Sequence, residues 1–252
     1  MDKQLMKRLA ASLLSLAAFL AAWKLLTVVT GTPAYILPAP EVVGERAVRA
    51  IGSGILWVHV WATLSEVVLG FALGAVTAAA IGVALGKSVL IERVLSPYIV
   101  AAQAVPILAL APLLDIWFGG GLLARVLVCA LIVFFPIAIA TMVGIRSADP
   151  LLGEMLRSLG ATPAQVTTRL EIPSALPVLF GGLRVGVTLA VIGAVVAEWV
   201  SASTGLGVLI NIADQGLFDT PLMFVALAAL GIIGLTFYSL VVLLERRLIQ
   251  TA

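Results

Sequence analysis

The feature that most constrains this chain is a series of six long apolar runs. They cover residues 9–30, 60–86, 97–118, 122–145, 178–200 and 221–244. Each is close to the roughly 20 residues that a helix needs to cross a bilayer. Only 11% of the 252 residues are charged, whereas an average soluble domain has about 25%. We therefore expect an all-α, polytopic membrane bundle with six transmembrane helices, forming one domain over residues 1–252.

The remaining residues exclude several function classes. A net charge of +2 provides no basic field for nucleic acid, and a single Cys129 with a single His59 cannot form a metal cluster. The sequence has no His-Glu-x-x-His, no Gly-x-Ser-x-Gly and no phosphate-binding Gly-x-x-x-x-Gly-Lys-Ser/Thr motif. We therefore predict that this chain is not an enzyme, has no catalytic or metal site and binds no cofactor itself.

The placement of the basic residues predicts the orientation in the membrane. Ten flank one side of the predicted bundle: Lys3, Lys7, Arg8, Lys87, Arg93, Arg146, Arg157, Arg169, Arg246 and Arg247. Four lie on or near the other: Lys24, Arg46, Arg49 and Arg125. By the positive-inside rule, both termini of a multi-pass inner-membrane protein would face the cytoplasm. The first run is too long for a signal peptide, so we expect an uncleaved helix. Residues 41–51 predict a short interfacial helix on the outer side.

The connection over residues 146–177 has unusually dense helix punctuation. Asp149-Pro150 predicts an N-cap followed by proline at the first helical position, and Gly160 predicts the end of that helix. Thr162 to Gln165 is a capping box that would begin a second helix ending near Leu170. Ile172-Pro173 and Pro177 are expected to separate it from the next span. Such a helix pair is either a packed staple between two spans or a docking element for a soluble partner.

This connection resembles the EAA loop of ABC importer permeases. Glu154-Met155-Leu156, Gly160 at the same interval and the terminal Ile172-Pro173 match its pattern, although Met155 and Leu156 replace two alanines. The resemblance extends over most of the chain. Segments such as Gln103–Pro106, Phe134–Pro136 and Gly181–Arg184 resemble the branch that handles sulfonates, nitrate and vitamin precursors.

The resemblance implies a type I ABC importer permease fold and a set of partners. A cytoplasmic ATPase subunit would dock on the first loop helix, about residues 149–160, and would bind the ATP and Mg²⁺. The implied coupling residues are Glu154, Met155, Leu156, Arg157, Gly160, Ile172 and Pro173. A second permease copy, giving a homodimer, and an extracytoplasmic substrate-binding protein would complete the importer.

Polar groups inside apolar spans are costly and therefore mark candidate pathway residues. These are Glu66, Gln103, Asp115, Glu198 and Trp199. Each also has a structural interpretation. Glu66 could pair with Arg125, Asp115 could cap the turn at 119–121, and Glu198 could bond the following outer loop. Gln103 could bridge two helices, and Trp199 could anchor the bundle at the membrane interface.

The cargo is suggested by the sign of the deep charges. Acidic groups at these depths disfavour an anion, and Gly193–Trp199 resembles permeases for riboflavin or thiamine-precursor pyrimidines. We therefore expect a vitamin or vitamin precursor. The alternative is an aliphatic sulfonate, taurine or nitrate, and a remote alternative is a passive channel or membrane scaffold, which would not need the capped helix pair.

Overall fold

The computed structural model describes residues 3–216 and 218–249, so Met1, Asp2, Leu217 and residues 250–252 lie outside the described chain. The side chains of Lys3, Lys7 and Arg8, three of the basic residues counted above, also lie outside the description. The helices are α1 (Lys3–Thr30), α2 (Pro40–Gly52), α3 (Ile55–Lys87), α4 (Val89–Ala104), α5 (Ile107–Phe118), α6 (Leu122–Arg146), α7 (Pro150–Ser158), α8 (Pro163–Val166), α9 (Ile172–Ser201), α10 (Leu206–Asn211) and α11 (Thr220–Ile249). Two π-helical turns, Thr167–Glu171 and Ile212–Gly216, follow α8 and α10. These elements confirm the all-α class.

The centre of the bundle is a sandwich of α3, α6 and α9. Its helices approach closely because small residues line their contacts. On α3, Gly74 and Gly82 lie so near the α6 backbone at Ala130 and Ala138 that a β-carbon would crowd a carbonyl oxygen at 2.7 Å. A neighbouring face of α6 receives α9 with a similarly close approach, with Gly182 against the Ala140 side chain. These glycines therefore form the surfaces at which the three helices pack most closely.

The peripheral helices cover this sandwich unequally. Helix α11 packs on α9, while α2 packs on α11 and places Ala50 in a buried cluster with Leu222. This α2 is the short helix predicted over residues 41–51. Helix α1 lies further out, and its Trp23 ring stacks on Phe224 with ring centroids 5.4 Å apart. The bundle is therefore densely packed around α6 and loosely packed at α1.

The predicted span over residues 97–118 differs most from the structure. It is divided between α4 and α5, which meet at an angle of 97°. Pro106 lacks an amide hydrogen, and a residue before proline avoids helical backbone angles, so Val105 is extended and the helix breaks there. Among the described residues, four helices are long and apolar enough to cross a membrane, or five if this bent pair counts as one span. In α1 the described apolar stretch is Leu14–Thr30, shorter than a typical span of about 20 residues.

A second difference concerns the predicted exit at Ile172-Pro173. The chain does not leave the helix there, since residues from Pro163 to Ser201 form one helical run of 39 residues. The Ile172 N–H bonds the Thr167 carbonyl, five residues back, so the π-helical turn shifts the ladder of hydrogen bonds just before the proline. Pro173 can then enter the first turn of α9 without breaking it.

The bundle has two ends that are built from different elements, called the loop end and the opposite end. The loop end contains the end of α3, the start of α4, the end of α6, the helix pair α7–α8 and the start of α9. The opposite end contains the start of α3, the start of α6, the end of α9 and α10. These two names are used below.

Candidate functional site

Helix α7 begins and ends on the predicted residues. The Asp149 carboxylate accepts the Leu151 N–H at 2.8 Å, and Pro150 occupies the first helical position. Past the helix, Gly160 has φ +83°, the left-handed conformation in which a side chain is strained, and the Ala161 N–H returns to the Leu156 carbonyl at 3.0 Å. Thr162 and Gln165 then form the predicted capping box of α8. The helix pair is therefore rigid.

The same helix presents apolar side chains outward. Leu151 is 73% exposed and Leu159 is 76% exposed, and Met155 is also exposed. The proposed coupling residues Glu154 and Arg157 are exposed on α7 and line a crevice of about 220 Å³ between α7 and the turn at 167–171. Leu156 is half-buried, as is Pro173 at the start of α9, whereas Ile172 is exposed. A folded, capped helix with an uncovered apolar face is typical of a protein-binding surface.

Two ion pairs hold the loop end together, and one of them ties the turn after α8 to α3. The Arg146 guanidinium donates to the Leu85 carbonyl at 2.9 Å and to the Glu92 carboxylate at 2.8 Å, thereby joining the ends of α3, α4 and α6. The Lys87 ammonium lies 3.1 Å from the Glu171 carboxylate and also contacts Thr167 in the π-helical turn. The base of the pair is therefore tied to α3 while its outer face remains uncovered.

A buried polar network occupies the opposite end. Glu198, on α9, is 1% exposed and accepts two hydrogen bonds of 2.5 Å, one from the Thr63 hydroxyl of α3 and one from the Gly207 N–H of α10. The Thr63 hydroxyl in turn accepts the Leu206 N–H at 2.8 Å. The His59 ring Nδ1 contacts both backbone groups of Gly205, at 2.7 Å from its carbonyl oxygen and 3.0 Å from its amide nitrogen. Three consecutive backbone amides at the start of α10, those of its N-cap Gly205 and of Leu206 and Gly207, thus contact side chains of the bundle. We call this set, His59, Thr63, Glu198 and residues 205–207, the amide clamp.

The clamp leaves no room for larger residues in the held segment. A β-carbon on Gly205 would overlap the Glu198 carboxyl group, and its φ of +144° disfavours any side chain. On Gly207, a β-carbon would lie 2.8 Å from a Glu198 carboxylate oxygen. The glycines are therefore required so that backbone can reach a buried carboxylate.

Glu66 lies one helical turn further along α3. It is fully buried, and the Arg125 guanidinium of α6 donates to one of its carboxylate oxygens at 2.5 Å. The pairing that the sequence offered for Glu66 is therefore present in the structure. Its second oxygen is buried, and no group in the described part of the chain forms a hydrogen bond with it. A carboxylate buried this deeply is held by its ion pair, because burial of an unpaired charge is costly.

Of the other candidate pathway residues, Trp199 contacts the edge of the amide clamp, whereas Asp115 and Gln103 lie apart from it. The Trp199 indole donates to the Gly207 carbonyl at 3.1 Å, and about half of the side chain is exposed. Asp115 lies at the end of α5, where its backbone carbonyl accepts the Gly119 and Gly120 amides. Gln103 is exposed near the end of α4 and lines a cavity of about 500 Å³ at the α4–α5 break. In the described part of the chain, no three His, Cys, Asp or Glu side chains meet as a metal site requires.

The sequence analysis missed the clamp as a unit, although a signal was present. His59, Thr63 and Glu66 are spaced i, i+4 and i+7, so they form one polar stripe on a helical face. The stripe continues as Gly70 and Gly74, which face α6. A polar stripe that becomes a glycine stripe indicates a buried face. Its partners, the amides of residues 205–207, cannot be located from sequence because backbone groups carry no residue signature.

Comparisons with known proteins agree with this architecture. Residues 70–250 match the family described as the binding-protein-dependent transport system inner membrane component. An inward-facing structure of the MetNI methionine ABC transporter has the same fold, with a TM-score of 0.67, 21% identity and coverage of 77% of this chain and 97% of that chain.

Three curated relatives are similar over nearly the whole chain. The riboflavin transport system permease protein RibX of Chloroflexus aurantiacus is 49% identical over 236 residues, 94% of this chain and 88% of the relative. The formylaminopyrimidine transport permease protein ThiX of Halalkalibacterium halodurans is 34% identical, with 90% of each chain covered. The putative aliphatic sulfonates transport permease protein SsuC of Bacillus subtilis is 34% identical over 93% of this chain and 84% of its own length. The family match and these relatives confirm the predicted class: the chain belongs to the inner membrane components of binding-protein-dependent transport systems, the permease subunits of ABC importers.

Proposed function

We propose that this permease imports a vitamin or vitamin precursor, either riboflavin or a thiamine-precursor pyrimidine. The observation that carries the proposal is the 49% identity to RibX over 94% of this chain. The chemistry of the spans agrees with a neutral cargo. Arg125, the cation beside the two deep carboxylates, is paired with Glu66, so this described network offers an anion no unpaired cation.

The ATPase partner docks on α7 in this proposal. Its uncovered apolar residues, Leu151, Met155 and Leu159, supply the contact area, and the exposed Glu154 carboxylate supplies a charge for a basic group on the ATPase. None of the hydrogen bonds or ion pairs described for residues 3–216 and 218–249 uses that carboxylate as an acceptor. ATP and Mg²⁺ bind to the ATPase, and this chain contributes no catalytic group.

The remaining partners follow from the two ends. The loop end faces the cytoplasm, with both termini, because Lys87, Arg146, Arg157 and Arg169 gather there. The opposite end then faces the substrate-binding protein. A second copy of this chain completes the pathway as a homodimer. Closure of the ATPases moves α7 and shifts the permease between two arrangements of its helices. Nucleotide drives this shift because the ATPases bind it with different affinity in the two arrangements.

The second candidate is an aliphatic sulfonate or taurine importer. It is favoured by the 34% identity to SsuC over 93% of this chain. The two candidates differ in cargo only, so one assay separates them.

That assay is ATP-dependent uptake into proteoliposomes that contain the permease, its ATPase and its binding protein. The probes are radiolabelled riboflavin, formylaminopyrimidine and taurine, each compared with vesicles lacking ATP. We expect uptake of riboflavin or formylaminopyrimidine and background accumulation of taurine. Uptake of taurine alone would overturn the proposed cargo and establish the alternative. Equal uptake with and without ATP would overturn driven transport.

A further inference from the structure

The break between α4 and α5 creates a feature that the proposed function does not yet use. At Val105-Pro106 the helix turns through 97° in the middle of a predicted span. The end of one helix and the start of the next leave backbone carbonyls and amides without partners inside either helix. Lipid cannot satisfy such groups, so irregular backbone at membrane depth lies against protein or lines a cavity.

A cavity is present at this break. It has a volume of about 500 Å³, within the range of roughly 300–1,000 Å³ typical of small-molecule sites. Its walls are Val105, Pro106 and Ile107 at the break, Phe135 of α6 and Leu189 of α9. Gln103 contributes the one side-chain amide among the lining residues, which are otherwise apolar. An apolar slot with a single amide orients a ligand by one polar edge.

The cavity does not end at the break. A second cavity, of about 330 Å³, shares Ala102, Leu131 and Phe135 with the first and continues along α4 to Leu95 and Tyr98. Leu95 is close to the start of α4, which belongs to the loop end. The two cavities therefore form one groove that leads from mid-span toward the loop end, with Ala102 at the junction. This geometry is that of a binding site with a route of exit.

We propose that this groove is a cargo subsite, in which Phe135 contacts the face of a flat heteroaromatic ring and the Gln103 amide pairs with an imide edge of that ring. The proposal rests on the proposed function and takes its flavin candidate as cargo, because the imide edge belongs to the flavin ring. A side-chain amide offers one donor and one acceptor side by side, which complements the adjacent N–H and C=O of an imide. A sulfonate has no such edge and no aromatic face.

The first test fills the groove. Ala102→Trp places an indole at the junction, whereas Ala104→Trp introduces the same side chain at an exposed position of the same helix that does not line either cavity. In reconstituted importer, we expect Ala102→Trp to lower riboflavin uptake at least about tenfold, since a blocked cavity excludes the ligand. Ala104→Trp should transport within about twofold of wild type. ATP hydrolysis stimulated by loaded binding protein reports assembly in both variants.

The second test asks whether Gln103 reads the imide. The probes are riboflavin and 3-methylriboflavin, in which a methyl group replaces the imide hydrogen. Gln103→Leu should lower riboflavin uptake about tenfold, as expected for a lost buried hydrogen bond, and should reduce discrimination against the methylated probe by the same factor. The matched control is Thr236→Leu, at an exposed polar position of α11 that lines neither cavity, which should leave both values unchanged.

The outcomes separate the subsite from the proposed function. If wild type imports riboflavin but Ala102→Trp equals Ala104→Trp, the groove is not on the pathway. If Gln103→Leu retains full discrimination against 3-methylriboflavin, Gln103 does not read the ring. If wild type imports taurine and neither vitamin, the proposed function fails first, and the heteroaromatic subsite fails with it.

Discussion

The two ends of the bundle both use carboxylates to hold backbone amides, but one end is exposed and the other is buried. At the loop end, α7 is capped and tied at its base, yet Leu151 and Leu159 are about three-quarters exposed. At the opposite end, the amide clamp is almost sealed, with Glu198 and Thr63 at 1% and 0% exposure. Both ends are ordered by carboxylates that accept backbone N–H groups, Asp149 at one and Glu198 at the other.

The difference teaches what each end is able to do. An exposed cap contributes modestly to stability and leaves the helix surface available to a partner. A buried carboxylate that accepts hydrogen bonds from two other helices is costly to remove, because each lost bond leaves a buried polar group unsatisfied. The loop end is therefore suited to binding a partner. The opposite end is suited to fixing the backbone at the start of α10.

Reversing the charge at the loop end should have the largest effect. Glu154→Lys should reduce ATP-dependent uptake about a hundredfold, because a like charge would face the basic group of the ATPase. Copurification of the ATPase with the membrane-inserted permease measures the contact directly. Glu45→Lys, an exposed acid on α2, is the control and should retain the ATPase. Undiminished uptake by Glu154→Lys would contradict docking on α7.

Removing the buried carboxylate should cost stability instead. Glu198→Ala leaves the Gly207 amide buried without its acceptor and leaves the Thr63 hydroxyl only the His59 carbonyl at 3.2 Å, so the free energy of unfolding should fall by about 3 kcal/mol. Unfolding by SDS titration measures the change. Asp149→Ala, at the exposed cap, should cost only about 1 kcal/mol. Equal losses in the two variants would show that the clamp contributes no more than a surface cap.

Two glycines provide the smallest and most specific comparison. Gly160 has φ +83° in open space, so Gly160→Ala should cost only the backbone strain, about 1 kcal/mol. Gly205→Ala adds a clash with the Glu198 carboxyl group to the strain of φ +144°, ψ 161°, a backbone region that essentially only glycine adopts, and should cost about 2–3 kcal/mol. Combining Gly205→Ala with Glu198→Ala should recover part of this loss, because the clash disappears. Strictly additive losses would contradict the close approach.

Much of the fold could be predicted because local rules determine it. Helix caps at Asp149, Thr162 and Gly160 are written in single residues and short spacings, and all three are confirmed. The apolar runs likewise gave the long helices α3, α6, α9 and α11. The rest depends on register. Pro106 breaks its helix, whereas Pro136 lies inside α6 and Pro177 inside α9 without ending them.

The candidate site divides in the same way. Glu66 and Arg125 could be paired from sequence because both are charged residues in apolar spans. For Glu198 the sequence indicated only a possible bond to the outer connection that follows α9. Its actual partner, the Gly207 N–H, is a backbone amide and carries no residue signature. The cavity beside Gln103 was invisible, because a cavity is defined by distances between α4, α5, α6 and α9 that no single helix encodes.

The uninterrupted helical run from Pro163 to Ser201 connects the loop end directly to the opposite end. Its 39 residues span about 58 Å at 1.5 Å per residue, so a tilt of 10° about the midpoint would swing each tip by roughly 5 Å. One tip carries the base of the docking pair, and the other carries Glu198. Under the proposed docking on α7, this run would act as a lever arm, with one end beside the ATPase contact and the other end holding the start of α10.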